Sequence, residues 1–262
     1  MALSGNACAE KSLRKVFAFS QIIAIFAVVS HTHTSLVDAA GVTYLTKTLR
    51  EMKKLITLAI ALIMMGGSMK AQETIQLPQP NMKMLKMKLG DALKQRRSVR
   101  DYQKGKEISQ EQLSTILWAA VGINDAKSGR LTTPTAVNMQ DIKMYVCDAK
   151  GVWLFNAKNN DLTKVTDTDL RPSMTVRQNF VMDAPLTLLL VSDQSARDRQ
   201  NERYGAMDAG YVSQDIYLAC AAMGLKTVAR AMMDQEAVKK ILKLKKGAMP
   251  MLNHPIAYGK QK

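Results

Sequence analysis

Apolar residues are spaced in two different ways along the chain. Before residue 71 they come as two short unbroken runs, and from about residue 87 they recur at helical or strand spacing. In "LGDALKQRRSV", Leu89, Ala92 and Leu93 fall on one helical face, with Asp91 near the front of the helix. "ISQEQLSTILWAAVGI" predicts a stronger helix. Leu113, Ile116, Leu117 and Ala120 make its apolar stripe, and Ser109 with Gln112 makes a capping box. "GRLTTPTAVNMQ" breaks the period and predicts a loop. "IKMYVC" (142–147) and "VWLF" (152–155) flank Asp148–Gly151 and predict a hairpin. The run "APLTLLLVSD" (184–193) has almost no polar interruption, as expected of a buried central strand. Residues 208–225 predict a long helix, small or apolar on most faces and so buried, against another subunit if need be; Gly224 stands where a C′ glycine belongs. "DQEAVKKILKL" predicts a further helix with Asp234 as N-cap, and "HPIAYG" a closing strand. Residues 72–86 hold two prolines and no period, and predict an extended arm. The order implies an α+β fold, with helices flanking one mostly antiparallel central sheet.

The front of the chain follows a different logic. Val16–Val29 follows three cations, and "LITLAIALIMM" follows Met52-Lys53-Lys54, with Gly66, Gly67, Ser68 and Ala71 after it. A basic start, a short apolar run and small residues describe an export signal, and both runs are short for a membrane span. The expected organisation is a non-native upstream extension or leader at 1–51 and a signal peptide at 52–71. The arm at 72–86 and one domain at 87–262 follow. The mature protein would be exported, to a periplasm, or remain cytoplasmic if the leader is unused. No stable membrane span is expected in the mature chain.

Composition narrows the chemistry. The formal charge is +15, and residues 1–71 hold only eight Lys/Arg against three Asp/Glu, so the remainder stays basic at +10. Anionic ligands are favoured. Aromatics are 5% of the chain, too few for a base-stacking platform, so nucleic acid is not an expected partner. Three histidines, His31, His33 and His254, argue against a Ser-His-Asp enzyme or a His-rich metal site. Cys8, Cys147 and Cys220 form no C-x-x-C pair, and the last two are expected as buried packing residues.

Three segments carry polar chemistry. In "RRSVRDY", Arg96 and Arg100 are four apart and would share a helix face. They could end the preceding helix, where cations complement the dipole, or hold an anion such as a phosphate monoester. "TPTAVNMQ" offers the amides Asn138 and Gln140, suited to a ring edge that alternates N–H and C=O, or simply to a polar loop. "GLKTVARAMMD" sets Arg230 between Ala229 and Ala231. That is either a tight strand with a surface arginine or a close backbone approach to a flat ligand.

Taken in order, "DALKQRRSVRDY", "TPTAVNMQDIKMYV", "DAPLTLLLV", "DAGYVSQDIYLACAAMGLKTV" and "PIAYGK" resemble the nitroreductase family of FMN-dependent oxidoreductases, from about Leu89 to Lys260. The "GVWLFNAKNNDLTKV" insert is similar to the branch that includes thiazoline and SagB-type oxidases. The resemblance implies FMN as cofactor, NAD(P)H as electron donor and an intertwined homodimer. It implies ping-pong transfer through flavin N5 to a nitroaromatic, quinone or other small molecule, with no catalytic residue beyond the flavin and no metal. It implies that Arg96, Arg97 and Ser98 hold the phosphate and ribityl chain, and that Arg100 approaches N1 and O2. Thr135, Ala136, Asn138 and Gln140 would come to the ring from the neighbouring subunit. Ala229 and Arg230 would face the ring near N5, and Lys260 would reach toward the phosphate. Two positions depart from the family pattern: Asp141 and Ile142 stand where a proline and an aromatic are common, and Arg230 where a small residue is common. A flavin oxidase or dehydrogenase on a small-molecule or peptide-like substrate is a second reading. An exported, non-catalytic anion-binding protein is a third.

Overall fold

A computed structural model of the chain describes residues 72–197 and 199–260, with a few helical residues between 47 and 57. The chain divides into two units, Met1–Lys70 and Ala71–Lys262. The leader and signal assignments at 1–51 and 52–71 fall almost wholly outside the described residues. Among the described residues no helix is long and apolar enough to cross a membrane.

In the second unit the strands are β1 (Thr74–Gln76), β2 (Ile123–Asp125), β3 (Arg130–Leu131), β4 (Ile142–Asp148), β5 (Gly151–Asn156), β6 (Asp161–Thr166), β7 (Leu186–Asp193), β8 (Leu225–Thr227) and β9 (Ala248–Tyr258). The helices are α1 (Leu89–Gln95), α2 (Gln110–Val121), α3 (Arg171–Thr175), α4 (Glu202–Ala222) and α5 (Gln235–Leu242). Seven strands form one sheet in the order β1-β6-β5-β4-β7-β9-β8, and every pairing is antiparallel. β2 and β3 form a separate small hairpin.

The uninterrupted apolar run at 186–191 has its cause here. β7 lies between β4 and β9, and both its faces are covered. Leu188 and Leu190 pack with Ile116 and Leu117 of α2 and Val212 and Ile216 of α4. Leu189 and Val191 point the other way, to Met174 of α3 and Val238 and Leu242 of α5. The period of two thus feeds two cores, each full burial being worth about 1.5–3 kcal/mol. The capping box closes as expected, with Ser109 and Gln112 satisfying each other's backbone N–H groups. Asp234 caps α5 through Ala237 N, and Gly224 takes its left-handed φ of 71° after α4. Cys147 and Cys220 are free and buried.

Four expectations need correction. The arm at 72–86 is not merely extended, because β1 adds to the edge of β6 and a 3₁₀ turn follows at Met82–Leu85. The insert after the hairpin forms β6, a third strand of a meander. The long helix starts at Glu202, capped by Asn201, whose side chain accepts from Tyr204 N. Polar residues at its first turn hide that start in the sequence. Finally, α1 stops at Gln95, so Arg96 and Arg100 do not share a helix face. Early in α4, Gly205 packs so close to β7 that a Cβ there would sit 2.4 Å from Ser192 Oγ. Only glycine allows that approach.

Candidate functional site

The arginine cluster begins where α1 ends. Arg96 is the C-cap, and Arg97 Nη1 donates to the carbonyls of Lys94 (2.7 Å) and Arg96 (2.8 Å). The chain then runs past the ends of β8 and β9. Val99 N donates to Thr227 O at 3.0 Å and Gln103 N to Tyr258 O at 2.8 Å. The helix-end reading therefore holds for Arg97, which meets two carbonyls at the end of α1.

Tyr217, on α4, ties this segment to the third one. Its Oη lies 2.7 Å from Ser98 Oγ and accepts from Ala229 N at 2.8 Å. The Arg96 guanidinium stacks over its ring, 5.0 Å from the centroid. Arg96, Arg97, Tyr217, Lys226 and Thr227 line one small cleft. Among the described residues, none of Arg96, Arg97 and Lys226 is ion-paired to a carboxylate. Three such cations and a hydroxyl suit a dianionic phosphate monoester. On that donor set the residues present fit the phosphate end of FMN.

Arg230 has a different place from the one expected. It is 5% exposed, and its side chain is spent inside the protein. Nε donates to Gln178 Oε1 (2.8 Å), Nη1 to Met174 O (2.7 Å) and Asn253 Oδ1 (2.8 Å), and Nη2 to Thr175 O (3.1 Å). Its backbone pairs both ways with Asn253. Neither the side chain nor the amide of Arg230 is free to face a ring, because burying a guanidinium requires that its donors be met. What the segment presents outward is Ala231 and Met232, both exposed.

Arg100 is exposed and lies near enough to Tyr102 and Arg230 for its charge to act on both. Lys260 forms an exposed ion pair with Asp101 at 2.6 Å. That pair raises the ammonium's proton affinity. Lys260 is thus paired with Asp101 and is not among the residues lining the cleft at Arg96.

The loop of the second segment is held at the other end of α4. Thr133 Oγ1 donates to Ala120 O at 3.1 Å, and Ala136 N donates to both carboxylate oxygens of Asp208, at 3.1 and 3.0 Å. Val137, Asn138 and Gln140 all have left-handed φ, between 46° and 54°. For the β-branched Val137 this is strain. Gln140 Nε2 reaches Gly129 O (3.0 Å) and Asn138 Oδ1 (3.3 Å), and Gln140 N reaches Thr135 Oγ1 (3.0 Å). Asp208 and Tyr217 are nine residues apart, roughly 13 Å along the helix axis and on opposite sides of it. One chain therefore brings Arg96, Arg97, Ser98, Ala229 and Tyr217 together, with Arg100 near Tyr102 and Arg230 and Lys260 on Asp101. It sets Thr135, Ala136, Asn138 and Gln140 apart.

Tyr217, Lys226 and Asp208 were not foreseen as site residues. Asp208 had a visible signal, a carboxylate among the small and apolar residues of a buried helix. Tyr217 had none, since a tyrosine there reads equally well as packing. His254 is fully buried between Ser213 Oγ (2.8 Å) and Thr227 Oγ1 (3.1 Å), and burial pulls its pKa down to about 3. It is a neutral structural bridge. Among the described residues no cluster of His, Cys, Asp and Glu could hold a metal ion.

A model of the nitroreductase family matches residues 93–258. A protein of Methanocaldococcus jannaschii with a provisional nitroreductase name is 28% identical over 200 residues, covering 70% of this chain and 96% of its own. A crystal structure of a protein from Ralstonia eutropha, also provisionally named a nitroreductase, superposes with a TM-score of 0.67 at 28% identity, over 74% of this chain and 92% of that one. A second, from Anabaena variabilis, superposes with a TM-score of 0.58 at 17% identity, over 73% of this chain and 42% of that one, and shows likeness of fold alone.

Proposed function

The chain belongs to the nitroreductase family, and from that premise we propose that it is an FMN-dependent oxidoreductase. It takes electrons from NAD(P)H and gives them to a nitroaromatic, a quinone or another small acceptor, and it works as a homodimer. The observation that carries this reading is the cleft lined by Arg96, Arg97, Lys226 and Tyr217, in which, among the described residues, no carboxylate is ion-paired to the three cations, with Tyr217 bonded to Ser98 and stacked under Arg96.

When bound, the flavin supplies the two-electron chemistry. The protein's residues hold and tune it. Arg96, Arg97 and Ser98 grip the phosphate and ribityl chain. Arg100, exposed and already felt electrostatically by Tyr102 and Arg230, supplies positive charge at the pyrimidine end. Ala231 and Met232, exposed beside the buried Arg230, form a wall against the ring.

Thr135, Ala136, Asn138 and Gln140 reach the ring of the neighbouring subunit's site, which explains why one chain keeps them away from Arg96. A partner would also cover Leu89 and Leu93 of α1 and Met207 and Tyr211 of α4, which are 66%, 50%, 49% and 47% exposed. The basic, apolar start at 52–71 supports export to a periplasm.

The test is direct. Purified protein should be yellow and release FMN on denaturation, and anaerobic NADH or NADPH should bleach it. A colourless protein that takes up no FMN overturns the reading. A yellow protein that neither nicotinamide bleaches removes NAD(P)H as donor.

A further inference from the structure

Asp208 is 1% exposed and lies on α4 among the buried Gly205, Ala209 and Val212. Among the described residues it has no ion pair. Burying a carboxyl group in such company is unfavourable unless its oxygens are met. Both of them accept from one group, Ala136 N, at 3.1 and 3.0 Å. That N–H opens a single 3₁₀ turn, Ala136–Asn138, whose own N-cap residue Thr135 makes no capping bond. Thr135 Oγ1 accepts instead from Gln140 N at 3.0 Å. Asp208 therefore does, from 72 positions away, what a Ser, Thr or Asp at the cap does locally.

The turn it caps is strained. Val137, Asn138 and Gln140 have φ of 46°, 54° and 50°, and Val137 is a β-branched residue left 80% exposed. An exposed valine gains nothing from the core, so this shape depends on what holds the two ends of the loop. Asp208 stands at one end. At the other, Asp193 N donates to Asp141 O at 2.8 Å, and Asp141 Oδ2 accepts from Ser192 Oγ and from Gln194 Nε2 (3.2 Å). We propose that Asp208 is a positioning residue that acts in trans, holding Thr135–Gln140 in the shape that meets the flavin ring of the neighbouring subunit. This rests on the function proposed above. Asp208 is too deeply buried to touch flavin or substrate itself.

One helix thus serves two sites. Tyr217 of α4 bonds to Ser98 and lines the cleft read as the phosphate grip of its own subunit. Asp208, nine residues earlier and on the opposite side of the helix, holds the loop offered to the partner. A defect in the grip falls on the subunit that carries it, and a defect at Asp208 falls on the other subunit. A residue that merely stabilised the fold would injure its own subunit's site. The loop meets the ring and not the phosphate, so a loss at Asp208 falls equally on FMN and on riboflavin.

The test uses the full chain as a heterodimer, isolated through two different affinity tags. One subunit carries Arg96→Ala with Arg97→Ala, and the other carries Asp208→Ala. Each variant as a homodimer should bind FMN about tenfold or more weakly than the wild type, and Asp208→Ala should lose riboflavin by the same factor. In the heterodimer one site receives both defects and the other receives neither, so half of the sites should bind FMN with wild-type affinity. Without flavin, amide exchange at Ala136 should be about tenfold or more faster in Asp208→Ala than in the wild type. A heterodimer with no site of wild-type affinity overturns the proposal. So does an Asp208→Ala homodimer that binds as tightly as the wild type, unchanged exchange at Ala136, or wild-type protein that binds FMN as a monomer. If Asp208→Ala does not fold, Asp208→Asn, which keeps one acceptor oxygen for Ala136 N, takes its place, with a several-fold loss restored in the same half of the sites. Wild-type protein that binds no FMN overturns the flavin reading, and exchange at Ala136 then decides whether Asp208 holds the loop.

Discussion

Ser98 Oγ and Tyr217 Oη lie 2.7 Å apart, joining a residue just past the first helix to one 119 positions later. The same phenol accepts from Ala229 N, so two of the three polar segments meet at one oxygen. Tyr217→Phe removes that oxygen and keeps the ring under Arg96. Leaving the part-buried Ala229 N–H unpaired should cost about 1–3 kcal/mol of stability, and the affinity for FMN should fall several-fold. Thermal unfolding and fluorescence titration of FMN check the two effects separately.

The cleft at Arg96 is read as a phosphate grip, and that makes a selective claim. Arg97→Ala should weaken FMN binding by about tenfold or more, since a charge-assisted hydrogen bond is worth about 1.5–3 kcal/mol. Riboflavin, which lacks the phosphate, should bind the variant and the wild type alike. Equal losses for both ligands would place Arg97 in helix capping alone.

Arg100 and Arg230 are both arginines near Tyr102, yet they are expected to fail differently. Arg100 is exposed, and Arg100→Ala should lower the flavin's reduction potential with little change in thermal stability. Arg230 holds the carbonyls of Met174 and Thr175 and the side chains of Gln178 and Asn253. Arg230→Met strips all four and should cost about 3 kcal/mol or more of stability. Redox titration and urea unfolding of both variants distinguish a tuning residue from a clamp.

His254 sets a pH limit on the fold. Its pKa of about 3 in the folded state lies below the ordinary imidazole value, so the unfolded chain binds more protons in acid. Stability should fall as pH drops below about 6.5, by about 1.4 kcal/mol per unit from this residue, until about pH 3. His254→Gln should flatten that slope in urea unfolding curves recorded across the range, whatever it does to stability at neutral pH.

Much of this was legible in the sequence because local rules fix it. The capping box at Ser109 and Gln112, the Asp234 cap and Gly224 depend on a few neighbouring residues. The buried strand at 186–193 announces itself because a strand covered on both faces tolerates almost no polar side chain. The order of the polar segments carried the family, and with it the expectation of a flavin. What the sequence could not carry was where side chains spend their donors. "RRSVRDY" has the same letters whether Arg96 shares a helix face with Arg100 or, as here, stacks on Tyr217 after the helix has stopped. Arg230 read as a candidate ligand contact, and only the fold shows its guanidinium consumed by the carbonyls of Met174 and Thr175 and the side chains of Gln178 and Asn253. Asp141 read as a departure from a pattern. Only the fold shows it buried, accepting from Ser192 and Gln194 more than fifty positions away. Local preference writes the elements, but pairing across the chain is decided by which surfaces bury together, and that burial settles which polar groups remain free for chemistry.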